Sequence, residues 1–363
     1  MGALRGRRLR VGLRALLVLL AAALVVLALL PSPIDPLAFE PPPAPAPEGP
    51  LAPNEALRPA ELLAVGTLHG PEYLAFDASG RLYAATAEGA IVRLDEAGQP
   101  RLFAATGGRP LGMRFTAAGE LLVCDSDKGL LSVDPGGRVT ALAVEAEGVP
   151  FRLTDNLDVA RDGTVYFSDA SDRFGQPDYL LDLFEARPHG RLLRYDPVSR
   201  RTTVLLRDLY FANGVALSQG EDFVLVNETY RYRTRRYWLK GPRAGASEVF
   251  LDNLPGFPDN LDGNRQGSFW MALFTVRNPI ADTVHPHPWA KSLLAKLPRF
   301  TWPRPKPYGL VLEVDESGRI LRSLHDPGGR RVQHVTTARE HDGFLYLGTL
   351  DQAWIGRLAL PAR

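Results

Sequence analysis

From residue 61 onward the chain repeats itself, and this repetition limits the possible folds more than any other feature. One half of the unit reads FDASGRLYAAT, FTAAGELLVCD, VARDGTVYFSD, LSQGEDFVLVNE, GNRQGSFWMAL and AREHDGFLYLGT: turn residues, then a strand of alternating apolar positions. The other half follows as GAIVRLDEAG, GLLSVDPGG, GRLLRYDPVS, RRYWLKGP, GLVLEVDESG and AWIGRLAL. Period-2 alternation bounded by Gly, Asp and Pro is a β signature. Six copies of a two-part, four-strand unit imply a closed ring, a six-bladed β-propeller. Spare β material ahead of the first copy, ELLAVGTLHG, is expected to complete the last blade and latch the ring shut.

A constant offset inside the repeat points to a site. Eleven positions before the central strand residues Tyr83, Leu122, Tyr166, Val224, Trp270 and Tyr346 stand Glu72, Leu111, Asp155, Asn213, Asp259 and Val335. Each lies on the loop entering its blade's innermost strand, so all six are expected to point at the central channel. Four of them carry oxygen, and Asn156 and Asn260 follow their aspartates directly. Three carboxylates converging on one axis repel each other unless they share a cation or hold protons. Oxygen ligands without His or Cys suit a hard ion, Ca²⁺ before Mg²⁺, and argue against zinc. Taken alone, any Asp-Asn or Asp-Gly pair is more often a turn former. DNLDGNRQGSFW lacks the spacing and closing Glu of an EF-hand loop.

The N-terminus is of another kind. MGALRGRRLRVGLR holds five arginines and no acid, and Ala15 to Leu30 is unbroken apolar sequence. With Val11 to Leu13 and a snorkelling Arg14, the run reaches the ~20 residues a bilayer span needs. A cleaved signal peptide is the competing reading, but the run is long for one and the small-x-small site at Ala44–Ala46 is far downstream. The positive-inside rule then leaves the arginines in the cytoplasm and the rest of the chain on the extracytoplasmic side. The expected division is a cytoplasmic tail and transmembrane signal anchor over residues 1–30, a Pro-rich semi-rigid stalk over 31–58, and the propeller over 59–363. The fold class is thus all-β, a six-bladed β-propeller with an N-terminal transmembrane helix. A net charge of +1 argues against nucleic acid as a partner, and the single Cys124 cannot form an internal disulfide.

Two insertions interrupt the repeat. SDRFGQPDYLLDLFEARPHG has helix-like spacing at Tyr179, Leu180, Leu183 and Phe184; TVRNPIADTVHPHPWAKSLLAKLPRFTWPRPKP carries Trp289, Leu293, Leu294, Leu297, Phe300 and Trp302 among basic residues. Both read as short helices forming a lid over one mouth of the channel, which makes apolar substrates the expectation. The second has the composition of a segment resting on a membrane surface, although packing on the propeller is the simpler reading. His285 and His287 in HPHP look like a metal pair, but lack a third ligand and read as a solvated loop. Asn227 in NET has the pattern of a glycosylation acceptor, and no G-x-S-x-G elbow of a serine hydrolase occurs.

TDNLDVARDGTVYFSDAS, GRLLRYDP, FANGVALS, LPGFPDNLDG, FWMALFTVRNP and EHDGFLYLGTL resemble the strictosidine-synthase-like family, most closely its adipocyte plasma-membrane-associated branch, over roughly residues 60–360. Its wider relatives are calcium-dependent paraoxonases and gluconolactonases, six-bladed propellers that hydrolyse esters, lactones or phosphotriesters. The resemblance implies calcium ligands at Glu72, Asp155, Asn213, Asp259 and Asn260, with Asp259 as general base or nucleophile beside Asp155. Asn156, His334, Leu111 and Thr336 are the expected substrate contacts. Three departures stand out: Asp155 replaces a more usual Asn, Leu111 replaces a His of paraoxonases, and Thr336 replaces the Glu on which strictosidine synthase depends. The expected function is therefore a membrane-anchored, calcium-dependent hydrolase of small apolar esters or lactones. A non-catalytic binding propeller is the alternative, and amine–aldehyde condensation comes last.

Overall fold

Turns of the repeat close through a short polar side chain: Asp77 Oδ1 accepts the backbone N–H of Ser79 and Arg81 at 3.0 Å, Asp315 Oδ1 those of Ser317 and Arg319 at 2.9 and 3.0 Å, and Asn264 Oδ1 those of Gln266 and Ser268 at 2.8 and 3.2 Å. Such side-chain turns end one strand and start the next, with a glycine at the positive-φ corner, Gly80, Gly318 and Gly267 in these three. The computed structural model describes Arg14, Leu27 and residues 29–361. It contains six four-stranded antiparallel sheets arranged as blades. Their innermost strands are Tyr73–Phe76, Pro110–Phe115, Thr154–Val159, Ala212–Leu217, Gly256–Gly263 and Val335–His341, defining blades 1 to 6. The outermost strand of blade 6 is Glu61–Leu63, which pairs antiparallel with Ile355–Arg357, so the start of the ring latches its end as the sequence implies.

Apolar residues on both faces of the middle strands fill the space between blades. Trp270, Ala272 and Val311 of blade 5, for instance, pack against Val335, Leu345 and Leu347 of blade 6. The inner strands approach closely. A Cβ on Gly214 would lie 2.5 Å from the Asp259 carbonyl oxygen, so only glycine fits beside Asn213.

Antiparallel order puts two kinds of connection on one rim: the loops entering each inner strand and the links from second to third strands. Both insertions are links of the second kind. In blade 3 the insertion forms α1 (Tyr179–Glu185); in blade 5 it forms α2 (Pro279–Val284) and α3 (Pro288–Lys296). Trp302 seals them together, meeting Phe184 edge-on at 5.0 Å and donating Nε1–H to Leu294 O at 2.9 Å.

The Pro-rich segment lies against this assembly. Ile34 is buried with Ala295 and Trp302, Leu37 N–H bonds Glu185 O at 2.9 Å, and Phe39 N–H bonds His285 O at 3.1 Å. Proline carbonyls cannot pair within such a segment, and the propeller supplies donors: Arg277 reaches Pro42 O at 2.6 Å and Ser323 Oγ reaches Pro50 O at 2.6 Å. Leu57 is fully buried between blades 5 and 6. The expected transmembrane helix falls outside the described residues, among which no helix is long and apolar enough to cross a membrane.

His285 departs from the sequence expectation. It is buried at the end of α2 with its ring edge-on to Phe39 at 5.5 Å, and burial pulls it down to a pKa of about 3. His287 alone is exposed, so the two do not form a metal pair.

Candidate active site

The site residues stand where the ladders break. Pairing between inner and second strands shifts register between Pro110 and Met113, Thr154 and Leu157, Ala212 and Val215, Pro258 and Leu261, and Val335 and Thr337. Leu111, Asp155, Asn213 and Asp259 sit inside these β-bulges, and Glu72 immediately precedes its inner strand. A bulge frees a residue from the ladder and re-aims its side chain, here toward the axis.

Glu72, Asp155, Asn213, Asp259 and Leu111 line one cavity of about 140 Å³ at the lid-bearing rim. Glu72, Asp155 and Asn213 are buried, while Asp259 keeps part of its surface open. Burial raises all three carboxyls above the ordinary carboxylate range. For Glu72 the result is about 7, with Arg109 and Asn260 opposing the rise. Asp155 is raised further by Glu72, and Asp259 by both Glu72 and Asp155. Glu72 Oε2 and Asn213 Oδ1 are buried acceptors without a hydrogen-bond partner.

The remaining predicted residues hold the site rather than line it. Asn260 Nδ2 donates to Glu72 Oε1 at 2.9 Å, and its Oδ1 accepts from Asn156 Nδ2. Asn156 Oδ1 accepts the Val215 N–H at 3.1 Å, so Asn156 joins blades 3, 4 and 5 from behind the cavity instead of contacting substrate. Thr336 is corrected in the same way: its Oγ1 donates to Glu72 O at 2.7 Å and is buried away from the cavity. His334 does not line the cavity either. It stacks at 4.9 Å on Phe274, which does, and its Nδ1 lies 2.9 Å from Asp351.

Several functional residues escaped the sequence reading. Leu153, Phe211 and Phe257 form apolar walls two positions before Asp155, Asn213 and Asp259, so the same offset extended by two finds them. Arg109, two before Leu111, is buried against Gly70 O and is the nearest cationic influence on Glu72. Asn227 carries no such signal: it is fully buried, and its Nδ2 donates to Asp259 O at 2.6 Å, which is incompatible with a glycosylation acceptor in the folded chain. Tyr179, Leu180, Leu183 and Phe184 of α1 complete the roof, as their helical spacing implies.

The donor set is all oxygen and its charges are uncompensated apart from Arg109. Among the described residues no group of three His, Cys, Asp or Glu side chains is placed to hold a metal ion alone, so the amide Asn213 would have to complete any coordination shell. The unpartnered Glu72 Oε2 and Asn213 Oδ1 fit that requirement, and the hardness of the set fits calcium.

Two family models match the chain: strictosidine synthase over residues 155–242, and strictosidine synthase-like, N-terminal, over residues 49–94. The adipocyte plasma membrane-associated protein of Mus musculus is 41% identical across 98% of this chain and 92% of its own length. A strictosidine synthase-like protein of Arabidopsis thaliana is 36% identical across 86% of this chain and 84% of its own. Among solved structures, a gluconolactonase from Xanthomonas campestris matches with a TM-score of 0.63 at 18% identity, covering 92% of this chain and 99% of that one. A calcium-binding regucalcin from Agrobacterium tumefaciens matches with a TM-score of 0.57 at 17% identity, covering 82% and 93%. At these identities the two structures speak for the propeller fold.

Proposed function

The chain belongs to the strictosidine-synthase-like family, and from that membership together with the cavity we propose that it is a calcium-dependent hydrolase of small apolar esters or lactones, attached to a membrane by its N-terminal segment. The observation that carries this reading is the convergence of Glu72, Asp155, Asn213 and Asp259 in one cavity whose remaining lining is mainly apolar. Relatives named for the plasma membrane support the attachment, and a calcium-binding regucalcin and a gluconolactonase of the same fold support the chemistry.

Glu72, Asp155, Asn213 and Asp259 would hold the ion. When bound, it would polarise a carbonyl oxygen and acidify a water. Asp259, the one carboxylate left partly open to the cavity, is positioned to take up the proton or attack the carbonyl carbon. Phe211, Phe257, Leu153 and the α1 side chains exclude bulk water and enclose space for one ring-sized group, which favours an aryl ester or a lactone. Asn260, with Thr336 and Thr337 on the Glu72 carbonyl, fixes Glu72 in place.

Amine–aldehyde condensation is disfavoured because the position needing a carboxylate is Thr336, whose hydroxyl is already committed to Glu72 O. The test is a panel of aryl esters and lactones assayed with Ca²⁺ and with EDTA. The expected result is calcium-dependent turnover, reduced at least about 100-fold in Asp259→Ala with the fold retained. Activity and thermal stability both indifferent to EDTA would overturn the metal site. A calcium-stabilised protein with no turnover would leave a non-catalytic binding propeller.

A further inference from the structure

Ile280, Trp289 and Phe300 are 62%, 71% and 74% exposed, and all three belong to the blade 5 insertion. Among the described residues no other Trp or Phe is strongly exposed. The helices are not short of internal partners. Ala295 and Trp302 are buried and Leu294 packs on the core, so α3 uses one side for the propeller and leaves Trp289 outward. The insertion is also basic, with six Lys or Arg against one acid from 277 to 307. Lys291 and Arg277 are buried within it; Arg304 and Lys306 are exposed, and Arg299 pairs with Asp178.

The path of the chain says which occupant this face expects. Lys296 Nζ, at the end of α3, donates to Leu27 O at 3.2 Å, and Lys291 Nζ of the same helix donates to Leu37 O. Leu27, near the end of the apolar run in the sequence, therefore lies against the lid, on the rim that carries the cavity. The Pro-rich segment does not act as a spacer between that run and the propeller, because it is bonded to α1, to His285 at the end of α2 and to Lys291 of α3 before it descends along blade 5 to Leu57.

We propose that the outer face of the lid, centred on Ile280, Trp289 and Phe300, docks on an anionic lipid bilayer and lays the mouth of the cavity on the membrane surface. Exposed aromatic side chains at the interfacial level and basic neighbours are the combination that a negatively charged leaflet favours. The same insertion contributes Asn278, Ala281, Pro303 and Pro305 to the cavity wall, so the docked face borders the entrance. An apolar compound dissolved in the bilayer reaches the cavity without crossing water. Docking needs no catalysis, and an inactive protein docks equally.

The test uses the full chain reconstituted in vesicles of phosphatidylcholine and phosphatidylserine with brominated acyl chains, which quench only tryptophans at the bilayer. Emission is expected to fall relative to unbrominated vesicles, and Trp289→Phe is expected to abolish that fall. Ile280→Ser/Phe300→Ser is expected to weaken the quenching of Trp289 without unfolding the protein, since both side chains are exposed. Val198, 92% exposed in the turn between the third and outer strands of blade 3, lies on the opposite rim. A Trp placed there by Val198→Trp in the Trp289→Phe background is expected to stay unquenched. Quenching that survives Trp289→Phe, or equal quenching from position 198, overturns the proposal. So does a Trp289 shielded from acrylamide yet untouched by brominated lipid, which would assign the face to a second copy of the chain.

Discussion

Asp259 owes its position to neighbours that never touch the cavity. Asn227 holds its carbonyl from blade 4, Gly214 permits that approach, and the bulge between Pro258 and Leu261 turns the side chain to the axis. Asn227→Ala leaves the Asp259 carbonyl and the Thr234 hydroxyl, bonded to Asn227 Oδ1 at 2.7 Å, without their partner. Leaving such buried groups unmade costs about 1–3 kcal/mol of stability. Because a shift of about 1 Å in a catalytic group can cost about 100-fold, kcat is expected to drop toward that extent while KM changes less. Denaturant unfolding beside steady-state kinetics checks both. A kcat loss no larger than the folded fraction accounts for would show that Asn227 only stabilises. The four oxygen-bearing cavity residues were legible from one constant offset, whereas Asn227 sits in a strand that reads as ordinary β sequence.

At the level of elements, the lid is tied down by ionisable groups. His189 follows α1, with Nε2 at 2.9 Å from Glu185 Oε1 and Nδ1 at 3.5 Å from Asp172. Burial pulls its pKa down, but these two hydrogen bonds outweigh burial and hold it at about 9. A raised value means that the charged form favours the folded state. That stability is complete below the unfolded histidine value of about 6.5 and is lost as pH climbs to about 9. Thermal unfolding of wild type and His189→Gln is expected to differ most at the acid end of this window and to converge beyond about pH 9. A gap that stays constant with pH would mean that His189 acts through packing. Nearby Asp182, raised to about 7 by burial, also favours the fold less as pH rises, but its window closes lower and it is present in both proteins. The helices were legible from their apolar spacing. Their division into a cavity roof on α1 and an exposed Trp289 on α3 was not, because spacing does not reveal which side a neighbour covers.

For the whole molecule, the ring is closed by chain from both ends, and the segment before the first strand contributes to its core. Leu57 is fully buried among Trp270, Val311 and Val335 although it lies in the Pro-rich stretch. Leu57→Ala is expected to lower unfolding free energy by about 2–5 kcal/mol, as for other fully buried leucines, within one cooperative transition. Denaturant melts check this, and a loss below about 0.5 kcal/mol, the range of surface substitutions, would show that the segment is not part of the folded unit. What the sequence determined alone was whatever repeats: six blades, the latch at Glu61–Leu63, and four oxygen-bearing residues brought to one cavity by one offset. Local turn chemistry and strand alternation are short-range, and symmetry carries them to every copy. What only the tertiary structure decided is what the repeat does not specify: Asn156 and Thr336 behind the site, His285 buried, Asn227 under Asp259, and the Pro-rich segment bound along the lid. Each depends on contacts between residues far apart in the chain, whose partners are set by the closure of the ring rather than by neighbours in sequence.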